Sequence, residues 1–355
     1  MFYNSDCKYF KGTVPCKFHK EFAVKCSDCK YYQTVNKKIL IIKLGAAGDV
    51  IRTTPLIHKI NKEYPNSKIW WLSYFPAVLP QNSIDVILPF DPASILVLQE
   101  TKFDIVFNLD KDYEACALMN RIQSYEKIGF YLEDGLPAPI NQLAQHKFDT
   151  GLFDDVNKAN EKSYVQEIFE ICDWKFNGEE YILEYDEHLE YTIKNDGKKI
   201  IGLNTGCGDR WVSRLWSEEN WSNLAKELIA QGYYPLLLGG KQEDERNKSI
   251  SKSSGAVYPG YFTLKEFITL CSKCDLIVSA VTMGMHLAIG LKKQLVLINN
   301  IFNPFEFELY GRGEIVEPDK ECTCYFSPKC KNPDYFCMEH LPVEKVLDAV
   351  LRNIK

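Results

Sequence analysis

Short aliphatic runs along the chain alternate with longer stretches whose apolar residues recur every three or four positions. Lys37–Leu44 (KKILIIKL) is a β-branched run that opens into Gly45-Ala46-Ala47-Gly48. An apolar-periodic stretch follows from Val50 to about Tyr64 and ends near Pro65. This order predicts a strand, a glycine loop and a helix. Lys68–Ser73, Asp85–Leu88 and Asp104–Leu109 read as further strands. A second series starts at Lys198–Leu203 and runs into Asn204-Thr205-Gly206-Cys207-Gly208. It continues with a helix at Trp221–Gln231 and a strand at Tyr234–Leu238 closed by Gly239-Gly240. Leu264–Cys271 predicts a helix, Leu276–Ser279 a strand, Met285–Leu291 a helix and Leu295–Ile298 a strand. Strands that alternate with helices predict parallel sheets covered on both faces.

The two series have the same opening, so the reading is two doubly wound α/β domains facing a cleft, with ligands at the carboxyl ends of strands. The expected boundaries are a Cys-rich appendage over 1–36, a first domain over 37–190 and a second over 197–341. Asp186–Gly197 is the linker candidate, and the helical segment in 342–355 is expected to cross back onto the first domain. A length of 355 residues agrees with two domains, since single cores stop growing near ~250–300 residues.

Composition narrows the class. Hydrophobic residues make up 46% and charged residues 25%, which argues against disorder and fibrous repeats. A net charge of −6 lacks the basic footprint of a nucleic-acid binder. No apolar run approaches the ~20 residues of a membrane helix, and the N-terminus lacks the basic-then-apolar order of a secretory signal. A cytoplasmic location is expected, with contact at the inner membrane face through an amphiphilic acceptor.

Thirteen cysteines are many for such a chain. Cys7, Cys16, Cys26 and Cys29 follow a C-x8-C-x9-C-x2-C spacing, with His19 as a spare ligand. Four thiolates fit a structural tetrahedral zinc or iron site, and a segment almost without aliphatic residues needs such a staple. Free thiols and disulfides are the alternatives. Cys322, Cys324, Cys330 and Cys337 form a second set, C-x-C-x5-C-x6-C, that fits another metal site. Cys271 and Cys274 sit at a helix–strand junction and read as core residues.

Three loops carry candidate chemistry. In Gly45–Asp49 the glycines let backbone approach a ligand, and Asp49 is either a functional carboxylate or the cap of the following helix. The stretch is not GxGxxG, so a dinucleotide fingerprint fails. In Asn204–Trp216, Thr205, Gly206 and Gly208 offer a backbone cradle, with Arg210 and Arg214 as cations suited to diphosphate oxygens. The dull reading is a βα loop with surface arginines. In Ser279–His286, Thr282 and Gly284 offer a hydroxyl and an amide to a phosphate. His286 either joins them or fills a polar pocket.

Taken together, these segments resemble glycosyltransferase family 9, the ADP-heptose:lipopolysaccharide heptosyltransferase group. The resemblance runs from about Lys38 to Leu341. It rests on IIKLGAAGDVIRTTP at Ile41–Pro55, NTGCGDRWVSRLW at Asn204–Trp216, LLLGGKQEDE at Leu236–Glu245, SAVTMGMHLAIGLKK at Ser279–Lys293 and ELYGRGE at Glu308–Glu314. The resemblance implies a GT-B architecture of two Rossmann-like domains, the first for the acceptor and the second for the nucleotide. It implies inverting transfer of a heptose from ADP-heptose to a sugar hydroxyl, without a catalytic metal. Asp49 would be the general base, with Gly48 and Arg52 on the acceptor side. Arg214 stands where the family has a phosphate-binding lysine, Glu243 is the nucleotide-side carboxylate, and Thr282 and His286 belong to the phosphate and sugar loop.

One position departs from that pattern. The family places an Asp before Thr282 to bind sugar hydroxyls, and this chain has Val281. The implied alternative is a re-targeted or non-catalytic nucleotide-sugar-binding protein. An epimerase and a nicotinamide oxidoreductase are weaker alternatives, the last for want of its glycine fingerprint.

Overall fold

The computed structural model describes residues 2–189, 193–208 and 210–354. Positions 190–192 of the linker candidate and the first domain's expected end, and Asp209 of the second glycine loop, lie outside the described residues. The chain divides into two compact units, Met1–Phe148 with Ile168–Glu179, and Asp149–Glu167 with Glu180–Lys355.

The first unit holds a six-stranded sheet. Its strands are β1 (Lys38–Ile42), β2 (Lys68–Ser73), β3 (Val86–Pro89), β4 (Lys102–Asn108), β5 (Gln123–Glu133) and β6 (Leu136–Pro139). The order is β3-β2-β1-β4-β5-β6, parallel except for the β5–β6 pair. β1 is central and its last four residues are buried, because helices cover both faces of a parallel sheet. Leu40, Ile42, Leu72, Phe103, Val106 and Met119 form the core around it.

The helix expected over Val50–Tyr64 is two helices, Ala47–Ile51 and Leu56–Glu63. Pro55 has no N–H to give the Ile51 carbonyl, and the Thr54 hydroxyl binds that carbonyl instead, at 2.7 Å. The Thr53 hydroxyl binds the Asp49 carbonyl at 2.7 Å.

The Cys-rich segment belongs to the first unit rather than standing apart. Lys8 ties it down, with Nζ 3.0 Å from the Ser67 carbonyl and 3.4 Å from Asp85. Its missing aliphatic core is replaced by stacked rings. Phe18 lies on Tyr31 with centroids 4.2 Å apart, and Tyr9 meets Phe18 edge-on at 4.8 Å.

The second unit holds five parallel strands: β7 (Ile200–Asn204), β8 (Tyr234–Leu238), β9 (Leu276–Ala280), β10 (Gln294–Ile298) and β11 (Gly313–Val316). The order is β11-β10-β9-β7-β8. Ile201, Leu203, Val278, Val296, Trp216 and Trp221 lie in its core, as do Val346 and Val350 of the terminal helix Val343–Asn353. This corrects the expectation that the last helix returns to the first domain. Its apolar face is buried inside the second unit. Residues 149–167 also belong to the second unit, ahead of the expected linker. Cys271 and Cys274 are core residues, each 1% exposed.

Candidate functional site

Each sheet has a point where the strand order reverses, and open α/β sheets place their ligands there. In the first unit the reversal lies between β1 and β4. The loop after β1 carries Leu44 and Gly45, and the segment after β4 carries Asp110. The buried Asp110 carboxylate accepts from the Leu44 amide at 3.0 Å and the Gly45 amide at 3.3 Å. The same oxygen pairs with Lys43 Nζ at 3.1 Å. Asp110 therefore fixes the glycine loop from the neighbouring strand, and sequence reading missed it. The only sequence signal was an acidic residue just past a buried strand.

Gly48, Asp49 and Arg52 follow on the next turn. Asp49 Oδ2 accepts from the Ala46 amide at 3.2 Å, and Oδ1 pairs with Arg52 at 2.7 Å. The carboxylate thus does what a cap residue does, yet its side chain remains 31% exposed. Arg52 holds the Asp49 carboxylate. Tyr74, Phe75 and Tyr113 are exposed on segments after β2 and β4, and a Cβ on Gly45 would stand 3.4 Å from Phe75.

In the second unit the reversal lies between β7 and β9. Four consecutive residues leaving β7 each meet a different part of the unit. Asn204 Nδ2 donates to Ser279 Oγ and to Thr282 Oγ1, both at 3.0 Å. Thr205 donates its hydroxyl to Asn247 Oδ1 at 2.5 Å. Gly206 lies against Glu243, where a Cβ would fall 2.2 Å from Glu243 Cγ. The Cys207 carbonyl accepts from Arg214 Nη2 at 3.4 Å.

The glycines therefore admit side chains to the backbone. Gly206 admits Glu243, and Gly284 admits the Asn204 amide, whose carbon a Cβ would meet at 2.8 Å. Glu243 in turn accepts from the Gly240 amide at 2.9 Å. Thr282 caps the helix Met283–Gly290 through the Gly284 amide at 3.1 Å. Val281 stands just before this cap, half-buried. His286 is buried, its ring stacked near Tyr181 with centroids 6.3 Å apart. Asn204, Ser279 and Asn247 complete the constellation and were not singled out from sequence.

Arg214 is 9% exposed, and burial holds its guanidinium below the usual arginine value. Its carbon lies 5.6 Å from the Trp211 ring centre and 5.5 Å from that of Phe302. Its Nε is buried and has no hydrogen-bond partner. A buried cation with unused donors is costly unless an anion completes it.

The four N-terminal cysteines line one small cavity, walled by Tyr9, Phe10, Phe18 and Tyr31. Among the described residues no three His, Cys, Asp or Glu side chains are gathered into a ready-made ligand set. No helix among them is long and apolar enough to cross a membrane.

Two Rossmann-like parallel-sheet domains with polar constellations at their switch points define the class, an α/β protein of the GT-B type. The chain belongs to glycosyltransferase family 9 (heptosyltransferase), whose family model matches residues 95–335. It is 20% identical over 307 residues to lipopolysaccharide heptosyltransferase 2 of Escherichia coli K12, covering 75% of this chain and 84% of that enzyme. A shorter match, 28% identical over 156 residues, is to the shikimate dehydrogenase (NADP(+)) of Geobacillus kaustophilus. It takes in 36% of this chain and only 55% of that enzyme. Among solved structures, the glycosyl transferase family 9 protein of Veillonella parvula has a TM-score of 0.71 at 20% identity. That match covers 91% of this chain and 98% of the other. The E. coli ADP-heptose lps heptosyltransferase II has a TM-score of 0.64 at 16% identity, covering 89% and 98%.

Proposed function

We propose that this family 9 enzyme is an inverting glycosyltransferase that moves a heptose from ADP-heptose to a hydroxyl of a cell-surface glycan such as the lipopolysaccharide core. The observation that carries the reading is Arg214, nine-tenths buried on two aromatic rings with its Nε unpartnered. A diphosphate is the anion that suits it, because two oxygens on adjacent phosphates match a guanidinium edge. ADP-heptose and lipopolysaccharide appear in the names of the E. coli heptosyltransferase sequence and structure that this chain is similar to.

In the reaction Asp49 takes the proton of the acceptor hydroxyl as its oxygen attacks the anomeric carbon. The bond to the diphosphate breaks on the opposite face, inverting the centre. Arg214, with amides near Thr205–Gly206 and Thr282–Gly284, takes up the charge that develops on the leaving diphosphate. Glu243 serves the nucleotide and His286 the sugar. Gly48 and Arg52 shape the acceptor side. Charge neutralisation by Arg214 makes a catalytic metal unnecessary. The acceptor brings the enzyme to the inner face of the membrane from the cytoplasm.

Cys7, Cys16, Cys26 and Cys29 are proposed to hold one structural zinc or iron ion. Their support is the shared cavity among stacked rings. Elemental analysis of the full chain and of a C26S/C29S variant tests it. A loss of less than ~0.3 metal per chain on substitution would overturn the site.

Val281 favours a second reading, a re-targeted or non-catalytic nucleotide-sugar binder, because valine accepts no hydrogen bond from a sugar. Calorimetric titration with ADP, UDP, GDP and their sugar conjugates separates the readings. Selective binding of ADP, tightened by the heptose, supports heptosyl transfer. Preference for another nucleotide-sugar means a re-targeted donor pocket, and no binding to any of them overturns the donor site.

A further inference from the structure

Residues 317–336, between β11 and the short turn Cys337–His340, contain no regular secondary structure and few aliphatic side chains. A stretch of that length without elements of its own is unusual in a packed domain unless something fixes it. Its cysteines lie in two neighbouring pairs rather than in one ready-made set. Cys324 and Cys330 place their sulfurs 3.8 Å apart. The side chains of Cys322 and Cys337 lie close enough to interact with each other. In a tetrahedral site with metal–sulfur bonds of ~2.3 Å, neighbouring sulfurs stand ~3.8 Å apart.

Nitrogen donors already surround these sulfurs. The Lys331 amide donates to Cys324 Sγ at 3.0 Å, the Cys324 amide to Cys322 Sγ at 3.4 Å, and Asn300 Nδ2 to Cys337 Sγ at 3.3 Å. Such outer donors orient thiolates and offset their charge in metal sites.

The same loop holds the turn that carries Arg214. Asn300 Nδ2 donates to the Ser213 carbonyl at 2.9 Å as well as to Cys337. Ser213 gives its amide to the Pro328 carbonyl at 3.1 Å and its hydroxyl to the Ser327 carbonyl at 2.6 Å. Ser327 and Pro328 lie between Cys324 and Cys330. Phe326, next to them, meets Trp211 at 5.7 Å and Phe302 at 5.2 Å, the two rings beneath Arg214.

We propose that Cys322, Cys324, Cys330 and Cys337 bind one zinc or iron ion as a tetrathiolate, and that this ion braces the Ser213–Arg214 turn for diphosphate binding. The thiols give up their protons to solvent as the ion binds, and the two sulfur pairs close on one centre. The ion takes no part in the chemistry, since four protein ligands leave no open position. Its effect on donor binding rests on the reading of Arg214 given above, whereas the ion site itself does not.

The test uses the full chain carrying C26S/C29S, which breaks the N-terminal four-thiolate set and leaves this one intact. Zinc and iron are measured after growth without added metal. The expected content is about one ion per chain, falling below ~0.3 when C322S/C337S is added. Cobalt(II) added to the stripped protein should give one equivalent with the absorption of tetrahedral thiolate coordination. Unchanged metal content in the added variant overturns the site. So does thiol titration in denaturant without reductant that finds Cys322–Cys337 and Cys324–Cys330 as disulfides.

The brace is read by ADP calorimetry on loaded and chelator-stripped protein. Stripping should weaken ADP ~10-fold in the parent and less than ~2-fold once R214A is present. Equal ADP affinity with and without the ion overturns the brace. If neither form binds ADP, the donor-site reading fails and the brace with it, while metal content still decides the ion site.

Discussion

Arg214 gives one donor to the Cys207 carbonyl at 3.4 Å, and that carbonyl sits in the loop leaving β7, at the switch point of the second sheet. The guanidinium is thus aimed by backbone rather than by a carboxylate, which leaves its charge for a ligand. An R214A variant should weaken ADP binding by ~10–150-fold, the equivalent of ~1.5–3 kcal/mol for a hydrogen bond to a charged group. R214K should recover part of the affinity, since lysine restores charge without the paired edge. Calorimetry against ADP checks both. Unchanged affinity in R214A would remove Arg214 from the donor site.

Asp49 separates a cap from a base by experiment. D49N keeps an oxygen that can accept from the Ala46 amide but cannot take a proton. The expected result is near-normal stability and ADP affinity, with transfer slowed by ~10²–10⁴-fold. If D49N turns over at the parent rate, the carboxylate is a cap alone.

Lys43 and Asp110 form a buried pair with side chains 6% and 9% exposed. Removing one member strands the other charge, so D110A should lose ~3–5 kcal/mol in urea unfolding. K43M/D110L should regain most of that, because apolar replacement of both partners is close to neutral. A loss equal to that of D110A in the double variant would place the stability in the Leu44 and Gly45 amide bonds instead.

Partial desolvation, with the Asp110 and Glu114 carboxylates near it, raises the solvent-exposed Asp112 carboxyl above its ordinary value. The folded state therefore holds that proton more tightly than the unfolded chain does. This group opposes folding above its folded-state value, and the opposition disappears as pH falls through both values. D112N should raise the melting temperature at pH 7, with the gain shrinking toward pH ~4, near the ordinary aspartate range. A pH-independent gain would point to packing rather than charge.

The strands β1, β2, β4, β7, β8, β9 and β10 were legible because each is a short aliphatic run bounded by glycine or charge. β5 and β11 were not, since Gln123–Glu133 carries many polar residues and Gly313–Val316 offers only four positions. The break between Ile51 and Leu56 was missed because periodicity passes through Pro55, while the missing N–H does not register in a hydrophobic pattern. The terminal helix was recognised but assigned the wrong partner. Its apolar stripe says that it must pack, and not against what.

The sequence by itself determined the α/β class, the two glycine loops, the cysteine sets and the family. All of these reside in local order and spacing. Only the tertiary structure decided how the loops are held. Asn204 meets Ser279 and Thr282 across more than seventy residues, Asp110 reaches back to Leu44 and Gly45, and Ser213 is fixed by Ser327 and Pro328. Parallel strands need long crossover connections, so residues that share a switch point are far apart in the chain. Their hydrogen bonds depend on register and strand order, and no local pattern encodes either.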